Sequence, residues 1–131
     1  NLATAKKDNV SSTGNGFRGS GKVGTATAHI VLKPGKKTEE ELFNLVDNGI
    51  YITEVEGLHA GMNCQSGNFS LQAKGFLIEN GKRSKPVCLI TIAGNLFELF
   101  KDIKEVGSNL QELGSTYAPS KKNKKLAVSG K

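Results

Sequence analysis

The chain has 131 residues, 37% of them hydrophobic and 6% aromatic, with a formal net charge of +6 at pH 7. That length suits one domain with a modest core. No apolar run reaches the roughly 18 residues that a membrane span needs, and the start lacks the basic-then-apolar order of a secretory signal.

Two cysteines, Cys64 and Cys88, are too few for a secreted disulfide scaffold and point to the reducing cytoplasm. A chain that opens at Asn1 rather than Met is expected to be a piece of a longer one. The single domain is then read as residues 1–131, with a glycine-rich lead-in at 1–24 and a basic tail at 119–131.

Residues 2–7 suit the end of a helix. Residues 11–24 read as a glycine-rich loop, and 28–33 as a strand that Pro34-Gly35 stops. Thr38-Glu39-Glu40-Glu41 is a capping box: the Thr38 hydroxyl can accept from the Glu41 N–H while the Glu41 carboxylate accepts from that of Thr38. Three acids also favour the positive end of the helix dipole. Leu42, Leu45 and Val46 give this helix one apolar stripe, and Gly49 is its expected stop.

Residues 50–55 alternate as a short strand, and 57–67 read as a loop. Residues 69–78 form a long strand in which Gly75 signals a bulge or a close backbone approach. Asn80-Gly81 is the strongest hairpin signal, because both central residues of a type I′ turn need positive φ. Residues 87–93 return as a strand behind Pro86, with Cys88 expected to be buried. Asn95 caps a second helix with Leu96, Leu99, Phe100 and Ile103 on one face, closed by Gly107. Residues 126–129 suit a last strand. The order gives an α+β fold: a mainly antiparallel sheet, able to curl toward a barrel, with two helices.

Nucleotide chemistry fails on context. Gly14-Asn15-Gly16-Phe17-Arg18-Gly19 fits G-x-G-x-x-G, and residues 16–22 resemble a phosphate loop. Yet a polar stretch precedes them, Val23 stands where a Ser or Thr should bind magnesium, and residues 24–31 look extended where a helix is needed. His29, His59, Cys64 and Cys88 are the available imidazole and thiol groups. They show no H-E-x-x-H spacing and no four-ligand pattern, so no metal site is assigned. His59 and Cys64 share a loop but lack an acidic group to orient the base, so no catalytic residue is assigned either. Lys121, Lys122, Lys124, Lys125 and Lys131 suit a solvated, partly frayed tail better than a nucleic-acid footprint, since no aromatic is interleaved for stacking. Gly57 and Gly61 would let a backbone approach closely, which with His59 and Asn63 marks a peptide groove; tight turns explain the same glycines.

Several segments in fixed order carry a resemblance. They are residues 12–16 (STGNG), 33–36 (KPGK), 40–42 (EEL), 49–53 (GIYIT), 57–63 (GLHAGMN), 66–70 (SGNFS), 75–82 (GFLIENGK), 86–87 (PV), 90–95 (ITIAGN) and 106–109 (VGSN). Together they resemble the C-terminal part of the TldD/PmbA family, also called modulators of DNA gyrase and read as intracellular peptidases. In the TldD branch an upstream HExxxH helix and a Cys near the chain's end hold zinc. Residues 107–130 contain no Cys, so the chain looks most like the PmbA branch, also called TldE. The resemblance implies a non-catalytic subunit without a cofactor of its own. It would pair with a zinc-bearing TldD-type subunit, or with itself, and act on an extended peptide. The alternative is a nucleic-acid or gyrase-associated module, whose DNA binding would be salt-dependent and lost on removal of residues 119–131.

Overall fold

The computed structural model describes residues 1–123 and 125–130. The elements run α1 (Leu2–Lys7), β1 (Gly16–Arg18), β2 (Val23–Thr25), β3 (Ile30–Val31), α2 (Glu39–Val46), β4 (Gly49–Glu56), α3 (Leu58–Gly61), β5 (Asn68–Glu79) and β6 (Lys82–Asn95). They continue with α4 (Leu96–Lys101), β7 (Ile103–Val106), β8 (Gln111–Leu113), β9 (Thr116–Ala118), β10 (Lys121–Asn123) and β11 (Ala127–Ser129). None of the described helices is long and apolar enough to cross a membrane. The chain divides into two compact units, Asn1–Leu32 with Gln111–Ala118, and Lys33–Leu110 with Pro119–Lys131.

In the first unit Asn1 caps α1, its Oδ1 accepting from Thr4 N at 3.0 Å. The expected loop at 11–24 contains a small antiparallel hairpin, β1 with β2. The strand expected over 28–33 contracts to β3, which pairs parallel to β9, while β9 pairs antiparallel with β8. Ala5 is this unit's buried hydrophobic residue; Phe17, Val31 and Leu113 are exposed.

The second unit is built on a four-stranded antiparallel sheet in the order β11-β6-β5-β4. Its core lies on one face of the β5–β6 hairpin. Phe69, Leu71 and Ala73 alternate inward along β5 and meet Ile90 and Ile92 of β6, with Ile50, Ile52 and Leu96 packed alongside. The strict alternation is what a half-buried strand needs. Asn80 (φ 52°) and Gly81 (φ 71°) make the expected two-residue turn between Glu79 and Lys82.

α2 forms as expected, with both capping-box bonds: Thr38 N donates to Glu41 Oε2 at 2.7 Å, and Glu41 N donates to Thr38 Oγ1 at 3.2 Å. Its stop differs. Asp47, not Gly49, takes the positive φ (60°) behind the helix, and Gly49 opens β4. The β5–β6 turn secures this end, since Gly81 N donates to Asp47 O at 2.8 Å.

Other expectations are corrected. Among the described residues the sheets stay open and no barrel closes, because β4 and β11 end the central sheet without meeting. Besides the two expected helices and α1, which forms where residues 2–7 are expected to be helical, a short α3 lies inside the expected 57–67 loop. α4 ends at Lys101, with Asp102 as its C-cap, and Ile103 belongs to β7 instead. The lysine-rich segment is not a frayed tail: Lys121–Asn123 pairs with β7, and β11 pairs with residues 91–93 of β6. Lys122 Nζ donates to Leu45 O in the last turn of α2 at 2.5 Å, where the helix dipole favours a cation. Lys124 and Lys131 lie outside the described residues.

Cys88 is exposed rather than buried, and the cause is a bulge. Between the pairs Ala73↔Ile90 and Gly75↔Val87, β5 has Lys74 alone while β6 has Cys88 and Leu89. The extra residue breaks the alternation that would have turned Cys88 inward. Leu89 sits at φ 55° and is 72% exposed. At the same level β4 carries its own extra residue, Thr53, and a Cβ on Gly75 would run into Tyr51 O. β6 is also longer than expected, since residues 82–86 join the ladder and a second bulge, at Ser84-Lys85, falls there. Pro86 is tolerated because β11 covers only residues 91–93, leaving Pro86 with β5 on one side.

Replacing Gly81 with Val is expected to destabilise the protein by about 1 kcal/mol or more, because a β-branched residue is strained at positive φ. The added side chain also meets Asn44 Oδ1, which lies 2.5 Å from where a Cβ would stand. Thermal unfolding measures this, and an unchanged melting temperature would contradict the turn geometry.

Candidate functional site: an open groove at the start of strand β5

The segment after α3 folds back along the beginning of β5. Met62 bridges Phe69, Asn63 N donates to Asn68 O at 2.9 Å, and Gly67 N donates to Asn63 O at 2.8 Å. Between residues 60–63 and 68–70 lies an open groove of about 450 Å³. Its lining residues are Ala, Gly, Met, two Asn, Phe and Ser, so among the described residues no charged side chain lines it.

Of the four residues marked in the sequence, Gly61 and Asn63 line this groove, whereas Gly57 and His59 are not among its lining residues. Gly57 is the N-cap of α3 at φ 82°, a conformation that favours glycine. A Cβ on Gly61 would collide with Ser70 O of β5. Both glycines therefore have uses within the chain's own packing. Asn63 makes the turn: its Oδ1 accepts from Gln65 N at 2.9 Å and Ser66 N at 3.0 Å.

Asn68 and Asn95 are the site residues that sequence reasoning missed. The hairpin register pairs them directly. Asn95 is visible in sequence as a helix cap, and it is one: its Oδ1 accepts from Phe97 N at 3.0 Å and Glu98 N at 3.3 Å. Its Nδ2 then donates to Ser66 O and to Asn68 Oδ1, each at 2.8 Å. Only the hairpin register could have pointed to Asn68.

The imidazole and thiol groups do not assemble. Among the described residues no three His, Cys, Asp or Glu side chains stand close enough to hold a metal ion. His29 belongs to the first unit, beside the Tyr117 ring at 6.2 Å. His59, Cys64 and Cys88 are exposed.

A family model described as the PmbA/TldA metallopeptidase C-terminal domain matches residues 1–130. The chain belongs to the PmbA/TldD metallopeptidase family. It is 32% identical to the metalloprotease PmbA homolog of Buchnera aphidicola subsp. Baizongia pistaciae, covering 97% of this chain and 26% of that protein. A Thermotoga maritima crystal structure, named for modulation of a DNA gyrase, superposes with a TM-score of 0.87 at 46% identity, covering 98% of this chain and 29% of that one. TldE from Thermococcus kodakarensis superposes with a TM-score of 0.80 at 29% identity, covering 96% of this chain and 29% of that one. The chain thus spans about a quarter of the length of these relatives.

This PmbA/TldD domain contains a second polar cluster, which no local sequence pattern foretells. Glu39, expected only as a helix-capping acid, receives Tyr51 Oη at 2.5 Å and Ser120 Oγ at 3.3 Å. Asn109 Nδ2 donates to Ser120 Oγ at 2.8 Å, and Ser120 N donates to Asn109 Oδ1 at 3.1 Å. The cluster ties α2, β4 and the segments before β8 and β10 within the second unit. Burial, and then the hydrogen bond to the Glu39 carboxylate, push the Tyr51 hydroxyl above its ordinary value.

A raised folded-state value means that the native state holds the Tyr51 proton more tightly than the unfolded chain does. The resulting stability is complete below pH 10.0, the ordinary tyrosine value, and is lost as pH rises through the folded-state value. Tyr51→Phe is expected to lower the melting temperature at neutral pH. The difference between wild type and variant should shrink above pH 10.0. Melting curves across that range measure it, and a pH-independent difference would contradict the assignment.

Proposed function

We propose that this is the C-terminal domain of a PmbA/TldE-type subunit of a cytoplasmic zinc metallopeptidase complex acting on small peptides. In this reading the domain is not itself catalytic. It supplies scaffold, subunit contacts and a wall along which an extended peptide lies. Family membership supports the peptidase half of the reading. The observation that carries the non-catalytic half is the scattered ligand set, in which no three metal-binding side chains come together among the described residues. A structural or catalytic zinc needs three or four such groups, and the residues present do not fit one. In this reading the zinc and its base belong to a TldD-type partner, as the family resemblance implies, and the subunit completes it.

The groove at 60–63 and 68–70 and the outer edge of β4 support the peptide-wall reading. β4 ends the sheet, so its outward backbone groups can pair with an added strand. The uncharged groove suits binding through the peptide main chain rather than through a particular charged side chain.

Two outcomes are expected. Elemental analysis of this chain, purified without chelator, shows no stoichiometric zinc; one tightly held zinc per chain would overturn the assignment. In the second test a flexible peptide is mixed with this chain, with a full-length PmbA-type parent, with a TldD-type partner, and with parent plus partner. Cleavage is expected only in the last mixture and is lost on chelation. Turnover by this chain alone that survives both His59→Ala and Cys64→Ala would refute the reading. Turnover abolished by Cys64→Ala would replace it with thiol chemistry.

A further inference from the structure

A side-chain amide has an oxygen that only accepts and a nitrogen that only donates, so its partners fix which end is free. Two amides line the groove, and in both the partners leave the same end free. Asn63 Oδ1 faces Gln65 N and Ser66 N. Backbone N–H groups can only donate, so the oxygen must lie on that side and Nδ2 is the free end.

For Asn68 the orientation arrives by relay. The first-turn N–H groups of α4, from Phe97 and Glu98, fix the oxygen of Asn95. Asn95 Nδ2 is thereby the donor, and it gives its two protons to Ser66 O and Asn68 Oδ1. Asn68 must then present its oxygen to Asn95, leaving its Nδ2 free. Among the described residues neither Asn63 Nδ2 nor Asn68 Nδ2 has a partner within the chain.

We infer that the groove is a hydrogen-bond donor site for the acceptor oxygens of an extended peptide, with Asn63 and Asn68 as the two reading residues. The inference rests on the peptide-wall reading above and names what the wall recognises. Four carboxamide protons are available, and among the described residues no cation lines the groove to select a phosphate and no carboxylate lines it to attract an amine. Carbonyl and carboxylate oxygens fit this chemistry. Main-chain carbonyls are common to all peptides, which makes such a groove tolerant of sequence. A C-terminal carboxylate presents the same acceptor chemistry with added charge.

The nearly isosteric exchange of Asn for Asp gives a selective test. Asn63→Asp keeps the oxygen that accepts from Gln65 and Ser66. Asn68→Asp keeps the oxygen that accepts from Asn95. Each exchange preserves the local fold while replacing a donor with a second acceptor. The isotope-labelled chain is titrated to millimolar concentration with acetyl-Ala-Ala-Ala-amide, and the carboxamide signals of Asn63 and Asn68 are followed by NMR.

Both pairs of signals are expected to shift. Each Asp variant should bind roughly tenfold more weakly, as expected when a peptide oxygen loses its donor, with its melting temperature unchanged. Repeating the titration with the free-acid peptide separates the two sources. Tighter binding of the acid assigns the groove to a C-terminal carboxylate, and equal binding assigns it to main-chain carbonyls. The inference is overturned if neither carboxamide pair shifts, or if the peptide binds both variants as tightly as wild type. A failure of metal-dependent cleavage in the parent-plus-partner mixture would sink the peptidase reading and leave this binding result standing.

Discussion

The antiparallel pairing of β5 with β6 is the constraint on which the second unit depends. Six of the buried hydrophobic residues lie on these two strands, five of them in one cluster. The turn at Asn80-Gly81 secures α2 at one end of the hairpin through Asp47. At the other end the register sets Asn68 opposite Asn95, where α4 departs and the 63–67 turn closes. Both bulges lengthen β6 by one residue relative to β5. Without them the pairing set by the turn would bring a different residue opposite Asn95, and the amide relay would not exist.

The bulges also explain the unusual surface of this sheet. An extra residue beside Lys74 on both neighbouring strands makes β5 the shorter path, so the sheet must bend there. Leu89 takes up that bend with a positive φ and an exposed apolar side chain. Lys74 is held at the same level by Glu56 and Glu54 of β4. These pairs are solvent-exposed and contribute little to stability; burial of the hairpin core contributes far more.

The two polar clusters play different parts. Around Glu39 every donor is used internally: a tyrosine, a serine and an asparagine converge on one carboxylate and join segments distant in sequence. That is an arrangement for holding the unit together. Around Asn63 and Asn68 the oxygens are committed and the nitrogens are not. That leaves the donor ends of both amides without a partner among the described residues, at a groove whose described lining carries no charge.

The sequence by itself determined the locally encoded features. The capping box at Thr38–Glu41, the Asn80-Gly81 turn, the Asn95 cap, the long strand β5 and the irregularity at Gly75 all depend on residues close in sequence, and they formed as expected. The ordered set of short motifs carried the family. Tertiary structure decided whatever depended on pairing across distance. The lysine-rich segment became β10 and β11 only because β7 and β6 offered it partners. Ile103 left the α4 pattern because its β7 segment pairs with β10. Cys88 turned outward because a bulge reset the alternation. Of the residues marked in sequence, Gly61 and Asn63 line the open groove beside their own loop. Asn68 was not marked, because its orientation is dictated by Asn95, a residue 27 positions away, and no local pattern encodes a hydrogen bond across a strand register.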